Sequence, residues 1–164
     1  MEDKTMVTDY YEFTMSQAFF NSNKHKEQVY FDVFFRTNPF EGGYGVMGGL
    51  DEIIEYIQNF KMSEENIEYL RSQKIFSEEF LEYLKNLRFE GDIYAVPNGT
   101  PIFPNEPVIT VKADVIMAQL IETSLLTNFN HGTLVTTAAK RIANEARDIP
   151  VMEFGARRAR GTNS

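Results

Sequence analysis

The chain has 164 residues, 43% of them apolar and including 14 Phe and 8 Tyr, which suits one domain or a little more with a packed core and argues against disorder. Its formal charge of −8 opposes nonspecific binding to nucleic acid or an anionic membrane, so any anion site has to be a local cluster. The lack of cysteine excludes disulfides and thiolate–zinc sites; with no apolar run near the roughly 18 residues of a membrane span, the expectation is a soluble, cytoplasmic chain.

In chain order, Asp9 followed three positions later by Glu12 reads as a capping-box start. The stretch YYEFTMSQAFF then carries Tyr11, Met15, Ala18 and Phe19 along one helical face. QVYFDVFFR alternates Val29, Phe31, Val33 and Phe35 against a set containing Asp32 and Arg36, the pattern of a strand with one apolar face. TNPFEGG is a turn, and YGVMGG returns as a Gly-weakened second strand, so a hairpin is the simplest reading. LDEIIEYIQNF places Leu50, Ile53, Ile54 and Ile57 on one stripe of a helix. Ser63 and Ser77 each precede a Glu-Glu pair, the signature of two further capped helices. FEGDIYAVPNGTPIFPNEPVITVKA, broken every few residues by Gly or Pro, reads as several short strands. A helix capped by Asp114 comes next. His131-Gly132 separates it from a second one, whose Ala138, Ala139 and Ala143 suit close packing. IPVMEF is a continuous apolar run, as expected of a strand buried on both faces.

Few residues are arranged for chemistry. Gly43-Tyr44-Gly45-Val46-Met47-Gly48 matches G-x-G-x-x-G, but that fingerprint needs its glycines at a strand-to-helix turn, whereas Val46 and Met47 lie within the expected strand. A packing role is favoured over dinucleotide binding. His25 falls in a polar loop and reads as solvated; His131 suits capping or packing better than proton transfer. No nucleophile triad, phosphate loop or metal-ligand spacing is present. The best local signal is VMEFGARRAR, where Phe154 offers a flat stacking face and Arg157, Arg158 and Arg160 offer guanidinium forks for a carboxylate or phosphate. A solvated basic tail explains the same residues equally well from composition and periodicity.

Five ordered blocks carry a more specific signal: TDYYEFTMSQAFF, FFRTNPFEGGYGV with GGLDEIIEYI, FEGDIYAVPNGTPIFPNEPVITV, AQLIETSLL with FNHGTLVTTAAKRI, and VMEFGARRARG. Together, from about Thr8 to Gly161, they closely resemble the N-terminal part of nicotinate phosphoribosyltransferases. The resemblance implies a type II phosphoribosyltransferase fold, in which an α/β N-terminal domain packs on an irregular TIM-like barrel. It also implies the joining of nicotinate to phosphoribosyl pyrophosphate, giving nicotinate mononucleotide and pyrophosphate, with ATP hydrolysis and Mg²⁺, in NAD synthesis. By the same resemblance Tyr11, with Asp9 beside it, reaches the nicotinate pocket of a neighbouring subunit in a homodimer. Phe154 and Arg157, with Arg158, stack on the pyridine ring and contact substrate.

A barrel of this kind takes about 250 residues. The expectation is therefore an N-terminal domain over residues 1–148, including the connecting helices 114–147, and only the start of a barrel over 149–164. No catalytic residue is expected here, since the family's phosphorylated histidine would lie beyond Ser164, and the chain alone is expected to be inactive. An unpaired strand at Ile149–Phe154 would favour self-association. The alternative is a non-enzymatic N-terminal domain that associates with a partner subunit.

Overall fold

The computed structural model describes residues 4–159. Helix α1 spans Tyr10–Asn21 and strand β1 spans Gln28–Val33. After a tight turn at Pro39–Glu41 come strand β2 (Gly45–Val46) and helices α2 (Leu50–Gln58), α3 (Glu64–Ser72) and α4 (Glu78–Asn86). Strands β3 (Gly91–Ala95), β4 (Pro101–Ile102) and β5 (Ile109–Asp114) lead into a single 32-residue helix, α5 (Val115–Ala146). The class is mixed α/β, as the patterning predicts.

Period-two alternation organises the main sheet. β5 lies between β1 and β3, antiparallel to both. The register stacks Phe31, Val111 and Ile93 in one row, and Val33, Ile109 and Ala95 in the next. That face meets the helices, while the other carries Thr110, whose hydroxyl donates to Asp32 at 2.6 Å, and Lys112, paired with Asp92 at 3.4 Å. Gly91 has no room for a side chain, because a Cβ there would stand 2.2 Å from the Lys112 carbonyl.

Both serine caps form as the sequence predicts. Ser63 Oγ accepts from the Asn66 amide and Ser77 Oγ from the Phe80 amide, each at 3.2 Å. α3 and α4 are further tied by Arg71, which grips the Glu78 carboxylate through two nitrogens, and by a Lys85–Glu64 ion pair at 2.5 Å. Ile53 and Ile57 of α2 are buried, whereas Leu50 is half-buried and Ile54 faces water. The core joins these helices to the inner sheet face and the first half of α5, centred on Phe13, Phe80 and Phe129.

The structure corrects five expectations. In α1 the buried face is Glu12, Phe13 and Ser16, whereas Tyr11, Met15 and Ala18 are exposed and Phe19 is half-buried. Apolar residues surround this helix, so periodicity does not select a side. β2 makes no hairpin with β1 but pairs with β4, and the Met47 amide continues the ladder to the Thr100 carbonyl at 2.9 Å. Its other anchor is α5: the Val46 amide donates to Thr137 Oγ1 at 2.8 Å, drawing β2 away from β1.

The third correction is that α5 runs unbroken through His131-Gly132. A mid-helix glycine costs about 1 kcal/mol relative to alanine. Here it permits close approach, since a Cβ on Gly132 would lie 2.5 Å from both the Cα and N of Gly49. Gly49 itself holds φ +85 at the start of α2, and Gly48 faces the same turn of α5. Of the fingerprint-like glycines, Gly48 serves helix-on-loop packing, Gly45 lies against Ile102 and Pro39, and Gly43 has nothing within 4 Å of where a Cβ would stand. Ala139 and Ala143, expected at a packed face, are exposed.

Fourth, His25 is half-buried rather than solvated. Its ring packs 5.3 Å from Phe20 and 5.5 Å from Tyr83, part of an aromatic cluster joining α1 to α4. Fifth, residues 149–155 form no strand and are not buried. Ile149 is 73% exposed and Phe154 82%, because no described strand lies alongside to pair with them.

Candidate functional site

The segment leading into α1 places three of the residues in question. Asp9 occupies the N-cap position in extended conformation, but its side chain makes no capping bond. Glu12 does not reach back to close a capping box either. It turns inward and is completely buried; Oε1 accepts from Thr123 Oγ1 of α5 at 3.0 Å and Oε2 accepts from Thr8 Oγ1. One position earlier, Val7 is tied to α5 by Ser124, whose hydroxyl donates to the Val7 carbonyl at 3.0 Å.

Electrostatics follow from that placement. Burial pushes the Glu12 carboxyl up to about 7; the Thr123 hydrogen bond opposes the rise, and the charges of Glu122 and Asp9 add to it. Tyr11, half exposed, projects beside the same carboxylates. Its phenol is raised above its ordinary value by desolvation, then by Glu122, Glu12 and Asp9. It therefore remains a protonated hydrogen-bond donor at neutral pH. Glu122 also stands at an apolar cleft of about 380 Å³ between β1 and α5, lined by Tyr30, Phe31, Phe34, Ala118 and Leu125 among others.

Phe154, Arg157 and Arg158 lie at the other end of the described chain. All three are exposed, and Ala156–Arg158 forms one 3-10 turn closed by the Arg158 amide to the Gly155 carbonyl at 2.6 Å. Arg160 lies outside the described residues. No hydrogen bond, ion pair or ring contact among the described residues joins this turn to Asp9 or Tyr11. The two halves of the predicted site are not brought together within one copy of the chain.

His131, Glu52 and Asn128 line a smaller cavity of about 120 Å³ where α5 crosses Gly49. Among the described residues no group of three or more His, Asp or Glu side chains is arranged to hold a metal ion. Arg141 is occupied as well: it donates to the Tyr44 carbonyl at 3.0 Å, with its guanidinium 5.5 Å from the Phe40 ring centre. It fastens the Pro39–Tyr44 loop to α5.

Sequence reasoning missed Glu12 as a buried group. The available signal was Thr8 and Glu12 four residues apart at a helix start, together with a hydroxyl pair, Thr123-Ser124, inside the otherwise apolar stretch AQLIETSLL.

Comparison with known proteins bears on what these residues belong to. Residues 6–130 match the family described as nicotinate phosphoribosyltransferase (NAPRTase) N-terminal domain. Nicotinate phosphoribosyltransferase pncB2 of Mycobacterium tuberculosis is 41% identical over 159 residues, which cover 97% of this chain and 34% of that protein. The Bacillus subtilis nicotinate phosphoribosyltransferase is 41% identical over 155 residues, covering 94% of this chain and 32% of the relative. The crystal structure of human nicotinic acid phosphoribosyltransferase superposes with a TM-score of 0.87 at 29% identity, over 97% of this chain and 33% of the human one. The chain thus spans about a third of the length of the relatives it matches. It belongs to the nicotinate phosphoribosyltransferase family, of which it carries the N-terminal domain.

Proposed function

We propose that these residues serve as the N-terminal part of an enzyme that joins nicotinate to phosphoribosyl pyrophosphate, releasing nicotinate mononucleotide and pyrophosphate, in NAD biosynthesis. The observation that carries this reading is the family match over residues 6–130. ATP hydrolysis and Mg²⁺ belong to the proposal for the whole enzyme. Among the described residues no group of three or more His, Asp or Glu side chains could hold a metal ion.

The residue types suit the task. Transfer of a phosphoribosyl group develops positive charge at the sugar and needs placement of the acceptor nitrogen more than a protein nucleophile. Phe154 supplies an exposed ring to stack on the pyridine; Arg157, with Arg158 beside it, supplies a fork for the carboxylate. Tyr11, protonated and exposed beside Asp9, comes from a second copy and closes the pocket, so the enzyme is a homodimer with a shared site. Residues 1–148 form the N-terminal domain and 149–164 begin the barrel. The place of action is the cytoplasm; among the described residues no helix is long and apolar enough to cross a membrane.

The test is enzymatic. Residues 1–164 alone, given nicotinate, phosphoribosyl pyrophosphate, ATP and Mg²⁺, are expected to form no nicotinate mononucleotide. Grafted in place of the corresponding third of the Bacillus subtilis relative, they should support turnover. Arg157→Ala in that chimaera should raise KM for nicotinate about 10- to 100-fold, the worth of one charge-assisted pair. Turnover by the isolated chain, or an unaffected KM, would count against the assignment. A second reading, a non-enzymatic domain docking on a partner subunit, draws on the exposed run Ile149, Val151 and Met152. An inactive but folded chimaera would favour it.

A further inference from the structure

Among the described residues Glu12 is the sole acidic or basic side chain that is completely buried. It sits between two elements, with Thr8 on one carboxyl oxygen and Thr123 of α5 on the other. The charged groups acting on it are Glu122 from α5 and Asp9 from its own segment, both acidic, with the Tyr11 phenol adjacent. In the structure both carboxyl oxygens accept, Oε1 from Thr123 Oγ1 and Oε2 from Thr8 Oγ1. A neutral carboxyl keeps both partners, Thr123 still donating to Oε1 while the proton on Oε2 turns the Thr8 contact into a bond that Glu12 donates. An ionised carboxyl also accepts both hydroxyls but carries two penalties: it is desolvated, and it adds a negative charge beside Glu122 and Asp9. Water relieves both penalties, but to reach it the carboxylate must leave α5.

We propose that Glu12 is a positioning residue: protonated, it docks the Thr8–Tyr11 segment on α5; ionised, it releases that segment and with it the placement of Asp9 and Tyr11. The proton is exchanged with solvent and no other group changes state. Burial, the first cause of the raised carboxyl, puts the transition at about 7, within reach of ordinary changes in pH. The remainder of α1 stays in place through Phe13 and the aromatic cluster around Phe20. The catalytic consequence rests on the function proposed above: if Tyr11 closes the pocket of a second copy, the competent fraction falls as Glu12 ionises. KM for nicotinate then rises by up to about tenfold per pH unit above the midpoint, with kcat unchanged.

Two measurements test this and fail separately. Carbon-detected NMR of the chain from pH 5 to 9 follows the Glu12 carboxyl and the Tyr11 ring. A shared midpoint near 7 is expected in the unsubstituted protein. Glu12→Gln, whose amide keeps both hydrogen bonds, should hold the Tyr11 signals at their low-pH positions throughout. Glu12→Ala should hold them at the high-pH positions. A Tyr11 ring indifferent to Glu12 titration, or a Glu12→Gln protein that still titrates there, overturns the proposal. In the chimaera, KM for nicotinate should follow the same midpoint and become flat in Glu12→Gln; a KM that ignores it overturns the positioning role. No turnover alongside an intact NMR transition overturns the enzymatic reading and supports the docking device.

Discussion

Tyr11 and Phe154 are both exposed aromatic side chains proposed to face the same substrate ring, yet the chain holds them by opposite means. Tyr11 rides on a helix turn fixed by hydroxyls from Thr123 and Ser124, and by Phe13 packed edge-on 6.4 Å from Phe76. Phe154 stands in a segment whose hydrogen bonds reach no further than a few residues along the chain. Exposure alone therefore says little about readiness. One half of the proposed site is held by packing and hydrogen bonds within this chain, and the other by none beyond its own few residues.

That contrast can be broken at several points. The largest effect is expected from Phe13→Ala, which empties a buried ring site under Tyr11 and should cost about 3–5 kcal/mol in urea denaturation. Second comes pH. The folded-state proton affinity of Glu12 is raised from 4.5 to about 7, so the folded chain binds more protons than the unfolded chain between those values. The contribution of Glu12 to stability should be full below 4.5, fall as pH rises, and be lost above 7, a change of about 3 kcal/mol. Subtracting the same profile for Glu12→Gln isolates this slope; a zero difference would show that the docked carboxyl is not the titrating group. Third, Gly132→Ala sets a methyl against the backbone of Gly49. It should cost about 1–2 kcal/mol, overpacking outweighing the better helix propensity. The smallest effect belongs to Phe154→Ala, within about 0.5 kcal/mol in the isolated chain. A larger loss would mean that the terminal segment packs on this chain after all.

Where the pattern is local, the sequence was a good guide. Ser63 and Ser77 cap helices because a hydroxyl three residues before an amide needs no distant partner. β1 shows its inner face because period two and burial agree at Val29, Phe31 and Val33. The failures arise where distant residues decide. The partner of β2 is chosen by Thr137 and Thr100, far along the chain. The inward face of α1 is chosen by Thr123, which gives Glu12 a place that its charge alone would forbid. Gly132 looks like a break until Gly48 and Gly49 lie against it. For the proposed site, Phe154 and Arg157 stand out in the sequence by residue type, but no contact among the described residues gives them a setting.

Because α5 is one rod of 32 residues whose described side chains are mostly exposed beyond Thr137, it acts as a ruler between the body and whatever follows Ala146. One residue inserted in that exposed stretch would swing the downstream chain by about 100° around the axis and carry it about 1.5 Å onward. Substitutions there, other than at Arg141, which holds the Pro39–Tyr44 loop, should be tolerated, while changes in length should not. The spacing, rather than the chemistry, of those last turns sets where Phe154 and Arg157 stand relative to the body.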